Sequence, residues 1–205
     1  MSVVPQRSAG SPSPAACLPR AAGEGRIFPG RVLAIDPGLR RCGAAIFEGG
    51  HLVSAALVRG VADTTVRNGS VWCAMAREVA LFALAGGHQF TRIMIEFPRI
   101  HRAAARGTAM GADPNDLLQL AATIGAIEAT VRHKVACGLV ETCLPGEWKG
   151  TIPKAMVWER VLNHLSVEEQ ARVMWPAASL REHVIEAIGI GLWTTGRAGR
   201  AMVRI

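Results

Sequence analysis

Four consecutive apolar residues, Val32 to Ile35, run directly into Asp36, and Pro37-Gly38 then turns the chain. A short unbroken apolar run reads as a strand buried on both faces, hence a central one. Its ending places Asp36 at the strand tip, where a binding cleft can open. Aspartate also starts turns of this kind with no further role. A second β-type run, Cys42 to Phe47, follows at once.

The 205 residues fit one domain of ordinary size plus a tail. Half of them are hydrophobic, yet no uninterrupted run approaches the roughly 18 residues a membrane helix requires. With 23 Lys and Arg against 16 Asp and Glu, the formal charge is +7, and the pI is about 9.9. Such a balance favours polyanionic partners. Five cysteines, Cys17, Cys42, Cys73, Cys137 and Cys143, form an odd set without a Cys-x-x-Cys pair. They are expected as small, mostly buried apolar residues in a reducing cytoplasm, not as a zinc ribbon or a disulfide framework.

Residues 1–29, rich in Ser, Pro, Gly and Ala, are expected to form a disordered tail. Strands are expected at 31–36, 42–48 and 51–58, with Gly49-Gly50 as a hairpin turn. Ser70 caps the next expected helix, which Gly86-Gly87 stops. Thr91 to Ile95 repeats the opening theme, an apolar strand ending on the carboxylate Glu96. A loop carrying Arg99, Arg102 and Arg106 leads to Asp113-Pro114, a cap and first-turn proline for a helix striped with Leu117, Leu120, Ile124, Ile127 and Val131. Gly138 to Cys143 is a fifth strand candidate. A loop from Pro145 then leads to a helix over about 153–165 and a short helix within 166–174. Ser179 and Glu182 form a capping-box pattern for the last helix.

If the strands at 31–36 and 91–95 are parallel neighbours, Asp36 and Glu96 emerge side by side. His183 and Glu186 share one face of the last helix. Glu186 is the only charged residue between Val184 and Thr195, a setting that is costly unless something neutralises it. A divalent metal shared with Asp36 and Glu96 would do so, and hard oxygen ligands suit Mg²⁺ or Mn²⁺. A solvent-facing Glu186 and a His183 with no catalytic role are the bland readings.

The ordered pattern Ile35-Asp-Pro-Gly38, Ile95-Glu96 and His183-Val-Ile-Glu-Ala187 resembles the RuvC-type Holliday-junction resolvases of the RNase H-like superfamily, the shorter phage-type relatives above all. The resemblance spans about residues 31–195. It implies an α/β RNase H-like fold, here with a five-stranded mixed sheet flanked by helices. It also implies a nuclease domain over residues 30–197, followed by a basic C-terminal tail, 198–205. Asp36, Glu96, His183 and Glu186 would be the catalytic, metal-binding set, holding two Mg²⁺ or Mn²⁺ ions. Lys149 and Lys154 would face DNA phosphates, and Arg99, Arg102 and Arg106 make sense as further phosphate contacts. The implied activity is that of a crossover junction endodeoxyribonuclease, a homodimer cutting branched DNA in recombination, repair or phage DNA processing, in the cytoplasm of a bacterial or phage-infected cell. The chain departs from the family at Glu186, where the usual residue is Asp, and at Phe97, which follows the strand-end Glu immediately. A non-catalytic DNA-binding module of the same fold is the first rival. An actin-like ATPase is the second, but it needs further Gly-rich phosphate loops that the sequence lacks.

Overall fold

A computed structural model of the chain describes residues 28–60, 70–98 and 113–198. The described elements begin with strands β1 (Arg31–Asp36), β2 (Arg41–Glu48) and β3 (His51–Arg59). Helix α1 (Ser70–Gly86), strand β4 (Gln89–Glu96), helix α2 (Pro114–Lys134) and strand β5 (Ala136–Cys143) follow. The chain then forms α3 (Pro145–Trp148), α4 (Lys154–Asn163), α5 (Val167–Ala171) and β6 (Val173–Met174). A 3₁₀ turn, Ala178–Leu180, leads into α6 (Arg181–Thr194).

One mixed sheet has the order β5-β4-β1-β2-β3-β6. β1 is interior, antiparallel to β2 and parallel to β4, and Val32 to Ile35 are wholly buried. The β2–β3 hairpin turns through Gly49 and Gly50 at φ 56° and 84°, the left-handed conformation that primed hairpin turns require. Side chains alternate across the sheet. Leu33, Ile35, Ile93 and Ile95 pack with α1 and α2 on one face. Val32, Ala34 and Met94 pack with Trp148, α4 and α6 on the other.

The sheet has six strands, not five. Segment 166–174 splits into α5 and the two-residue β6, which pairs parallel with β3 at Ala55 and Ala56. Two residues carry no periodic signal. What fixes this corner is a buried acid. Glu169 accepts hydrogen bonds from Leu52 N at 2.8 Å and Arg197 Nη2 at 2.7 Å. Its reciprocal cap with Ser166 starts α5. Burial raises the Glu169 carboxyl, but the Arg197 guanidinium and the Ser166 and Leu52 amides outweigh it, leaving a pKa of about 2. Arg197 therefore serves the fold here.

The capping box expected at Ser179 does not form. The 3₁₀ turn takes up Ser179, Leu180 occupies the cap position without a side-chain bond, and Glu182 pairs with Lys154. Of the described cysteines, Cys42 and Cys143 are buried, Cys137 is intermediate and Cys73 is exposed. Trp148 is wholly buried, while Trp158 and Trp193 pack partly buried against the same core. Among the described residues, no helix is long and apolar enough to cross a membrane.

Candidate metal centre

Register and alternation bring two carboxylates together. Ile35 pairs with Ile95 across the parallel β1–β4 ladder, so the next residue on each strand, Asp36 and Glu96, ends the sheet at one level. Asp36 lies two residues beyond Ala34, and Glu96 two beyond Met94. Both side chains therefore take the face covered by α6.

α6 supplies the third acid. Its residues His183, Glu186 and Gly189 recur every three positions and so share one face. Ligand oxygens of Asp36, Glu96 and Glu186 lie within 4.8 Å of one another. Asp36 is buried, and the Glu96 and Glu186 side chains are each 12% exposed. His183 Nδ1 stands 2.7 Å from Asp36 Oδ2. α6 reaches this depth because β2 presents Gly43 beneath it: a Cβ there would lie 1.8 Å from the His183 carbonyl oxygen.

α3 closes the site from the side. Trp148 lies against Gly189, where a Cβ would meet its ring at 2.5 Å. The indole N–H donates to Glu96 Oε2 at 2.5 Å. The next residue, Lys149, places Nζ 2.9 Å from Glu186 Oε1 and 3.9 Å from Glu96 Oε2. Glu147 turns back to accept the Leu144 N–H at 2.6 Å, fixing the start of α3.

Burial and like charge raise the two strand-tip acids. Asp36 is pushed up by burial, against its hydrogen bond from His183, with Glu186 adding to the rise. Glu96 is raised to about 7, first by burial and then by Asp36, against Lys149 and the Trp148 indole. His183 is raised chiefly by its bond to Asp36. The neighbouring Cys42 and Cys143 thiols are pushed up by burial and by Asp36 and Glu96 respectively. They stay protonated, so the donors on offer are carboxylate oxygens. A convergent all-oxygen set of this kind fits a hard divalent cation, and the three acids could hold one.

Of the residues singled out from sequence, Asp36, Glu96, His183, Glu186 and Lys149 meet in this cleft. Glu186 is neither solvent-facing nor alone, since Lys149 pairs with it. Lys154 pairs with Glu182 one turn earlier on α6, and its side chain is 60% exposed. Phe97 is 38% exposed, its N–H bonded to the Cys143 carbonyl. Arg99, Arg102 and Arg106 lie outside the described residues. Trp148 went unmarked in the sequence. Its segment, Pro145 to Lys149, was visible, but nothing in it distinguishes a tryptophan bonded to a site carboxylate from one that only fills the core.

No protein-family model matches the chain, and no curated protein matches it in sequence. Solved structures do. RuvC from Thermus thermophilus aligns over 83% of this chain and 96% of its own, at 15% identity and a TM-score of 0.51. T. thermophilus RuvC in complex with a Holliday junction substrate gives 13% identity, 83% and 95% coverage and a TM-score of 0.47. A yeast mitochondrial Holliday junction resolvase gives 12% identity, 87% and 86% coverage and a TM-score of 0.43. The likeness to RuvC at a TM-score of 0.51 gives this mixed, helix-flanked sheet the RuvC-like RNase H fold.

Proposed function

We propose that the domain spanning residues 30–197 is a metal-dependent endonuclease that cleaves branched DNA, four-way junctions foremost, and works as a homodimer. The observation that carries this reading is the convergence of Asp36, Glu96 and Glu186, from two parallel strand tips and one helix, within 4.8 Å on a RuvC-type fold. Mg²⁺ or Mn²⁺, two per site, would be held by these carboxylates, with His183 as a further ligand through Nε2. Bound there, the ions supply an acidified water and neutralise charge on the scissile phosphate.

The chain's own residues do the rest. Trp148 orients Glu96 through its indole N–H, and Asp36 orients His183 through Nδ1. His183, its Nδ1 engaged by Asp36, would present Nε2 to the metal, and the acidified water would give up its proton to solvent as it attacks phosphorus and the 3′ oxygen leaves in line. Lys149, Lys154, Arg99, Arg102 and Arg106 would contact phosphates flanking the cut. Phosphate contacts position DNA without reading its sequence, and the +7 charge of the chain suits that task. Cutting a junction symmetrically needs two sites, hence the dimer. The composition of the cysteines suits action in the cytoplasm.

The test is purified protein on four-way, flap, Y-shaped and linear DNA, with Mg²⁺, Mn²⁺ or chelator. Metal-dependent nicks near the branch, fastest on the four-way junction, are expected. Binding without cleavage under every metal condition would instead identify a DNA-binding module that keeps the fold.

A further inference from the structure

We propose that Lys149 is a resident counter-cation of the acidic centre, displaced from it when a divalent cation binds. The inference rests on the metal reading above. Lys149 Nζ lies 2.9 Å from Glu186 Oε1 and 3.9 Å from Glu96 Oε2, two of the three acids whose ligand oxygens gather within 4.8 Å. The ammonium therefore stands between the helix carboxylate and a strand carboxylate, in the region a shared metal must enter. Three mostly buried like charges repel one another, and burying them unpaired is costly. Lys149 supplies the compensating charge while no metal does.

An ammonium and a divalent cation cannot share that volume, because their repulsion acts at short range in a poorly screened cleft. One of them leaves. Lys149 is built to be the one that moves. Its backbone is held, because it caps α3 directly after Trp148, which is locked between Gly189 and Glu96. Its side chain is not enclosed: it is 22% exposed, and a flexible four-carbon stem carries the charge. The ammonium also lies 4.9 Å from the centre of the Trp148 ring, a face that attracts cations. Swinging outward moves one side chain and no element. The same motion would hand the charge to the rim of the cleft, where phosphate is expected.

Such a residue lowers metal affinity by the cost of its own displacement, and it becomes more accessible when metal binds. Calorimetric titration of Mn²⁺ into the DNA-free protein tests the first consequence. Lys149→Met keeps the length and removes the charge, and it should bind Mn²⁺ about tenfold more tightly than wild type. Amine acylation of the wild-type protein, read peptide by peptide by mass spectrometry, tests the second without any mutation. The chain has Lys134 and Lys154 as internal references. Acylation at Lys149 should rise several-fold on adding Mn²⁺ while Lys134 stays constant. Unchanged or weaker Mn²⁺ affinity in a folded Lys149→Met protein overturns the proposal, and so does Lys149 acylation that Mn²⁺ leaves unchanged or suppresses. Failure of both proteins to bind Mn²⁺ overturns the metal centre along with it. Equal binding by both overturns this inference alone.

Discussion

Glu96 shows how one residue couples the centre to the stability of the fold. Its carboxyl, ordinarily near 4.5, sits at about 7. The folded chain therefore holds this proton more tightly than the unfolded chain does. The resulting stability is complete below about 4.5 and is lost as pH rises to 7. At 1.36 kcal/mol per unit the loss is roughly 3 kcal/mol at most. Asp36 and His183 are also raised, so their contributions are lost in the same direction. Glu169, held at about 2, acts oppositely and loses its contribution only as pH falls from 4.5 toward 2. In chelator, the urea midpoint should thus be higher at pH 5 than at pH 8. Glu96→Gln should flatten part of that slope, leaving the arms due to Asp36 and His183. Excess Mn²⁺ should reverse it, because carboxylates must lose their protons to bind metal. A metal-free midpoint that climbs between pH 5 and pH 8 would contradict the electrostatics described for this cleft.

At the scale of elements, the centre depends on how closely α6 approaches the sheet. A Cβ on Gly43 would lie 1.8 Å from the His183 backbone oxygen, and backbone cannot turn aside as a side chain can. Gly43→Ala should push α6 off β2, cost about 3 kcal/mol as overpacking does, and weaken Mn²⁺ binding by displacing Glu186. Gly125, exposed within α2, has nothing within 4 Å of such a Cβ. Gly125→Ala should therefore stabilise the fold by up to about 1 kcal/mol through helix propensity alone. Urea unfolding with unchanged m-values checks both. This dependence was only half legible in the sequence. The parallel neighbourhood of β1 and β4 followed from the strand-helix-strand pattern, and with it the meeting of Asp36 and Glu96. The spacing of His183 and Glu186 gave their common face. The demand on Gly43 came from the distance between layers, which no local pattern records. The start of α6 was misread for a related reason: Ser179 and Glu182 have capping-box spacing, but Lys154 on α4 claims Glu182 through tertiary contact.

Across the whole molecule, the central feature is one acidic cleft in a chain of net charge +7. Polyanion binding and metal binding, both proposed above, would place opposite demands on charge. The acids Asp36, Glu96 and Glu186 gather where the ends of β1 and β4 meet α6. Composition made the basic surplus visible. It could not show that Lys149 belongs to the acidic cleft, because that contact joins residues 37 positions apart through the packing of α3 on α6. The most direct measurement is single-turnover cleavage of a four-way junction with Mg²⁺ by wild type and Asp36→Asn, with junction binding measured alongside. Asp36→Asn removes one ligand charge and nearly preserves shape. It should bind the junction as tightly as wild type and cleave it slower by orders of magnitude. Cleavage by Asp36→Asn at near the wild-type rate would contradict a nuclease centre built on the tips of β1 and β4.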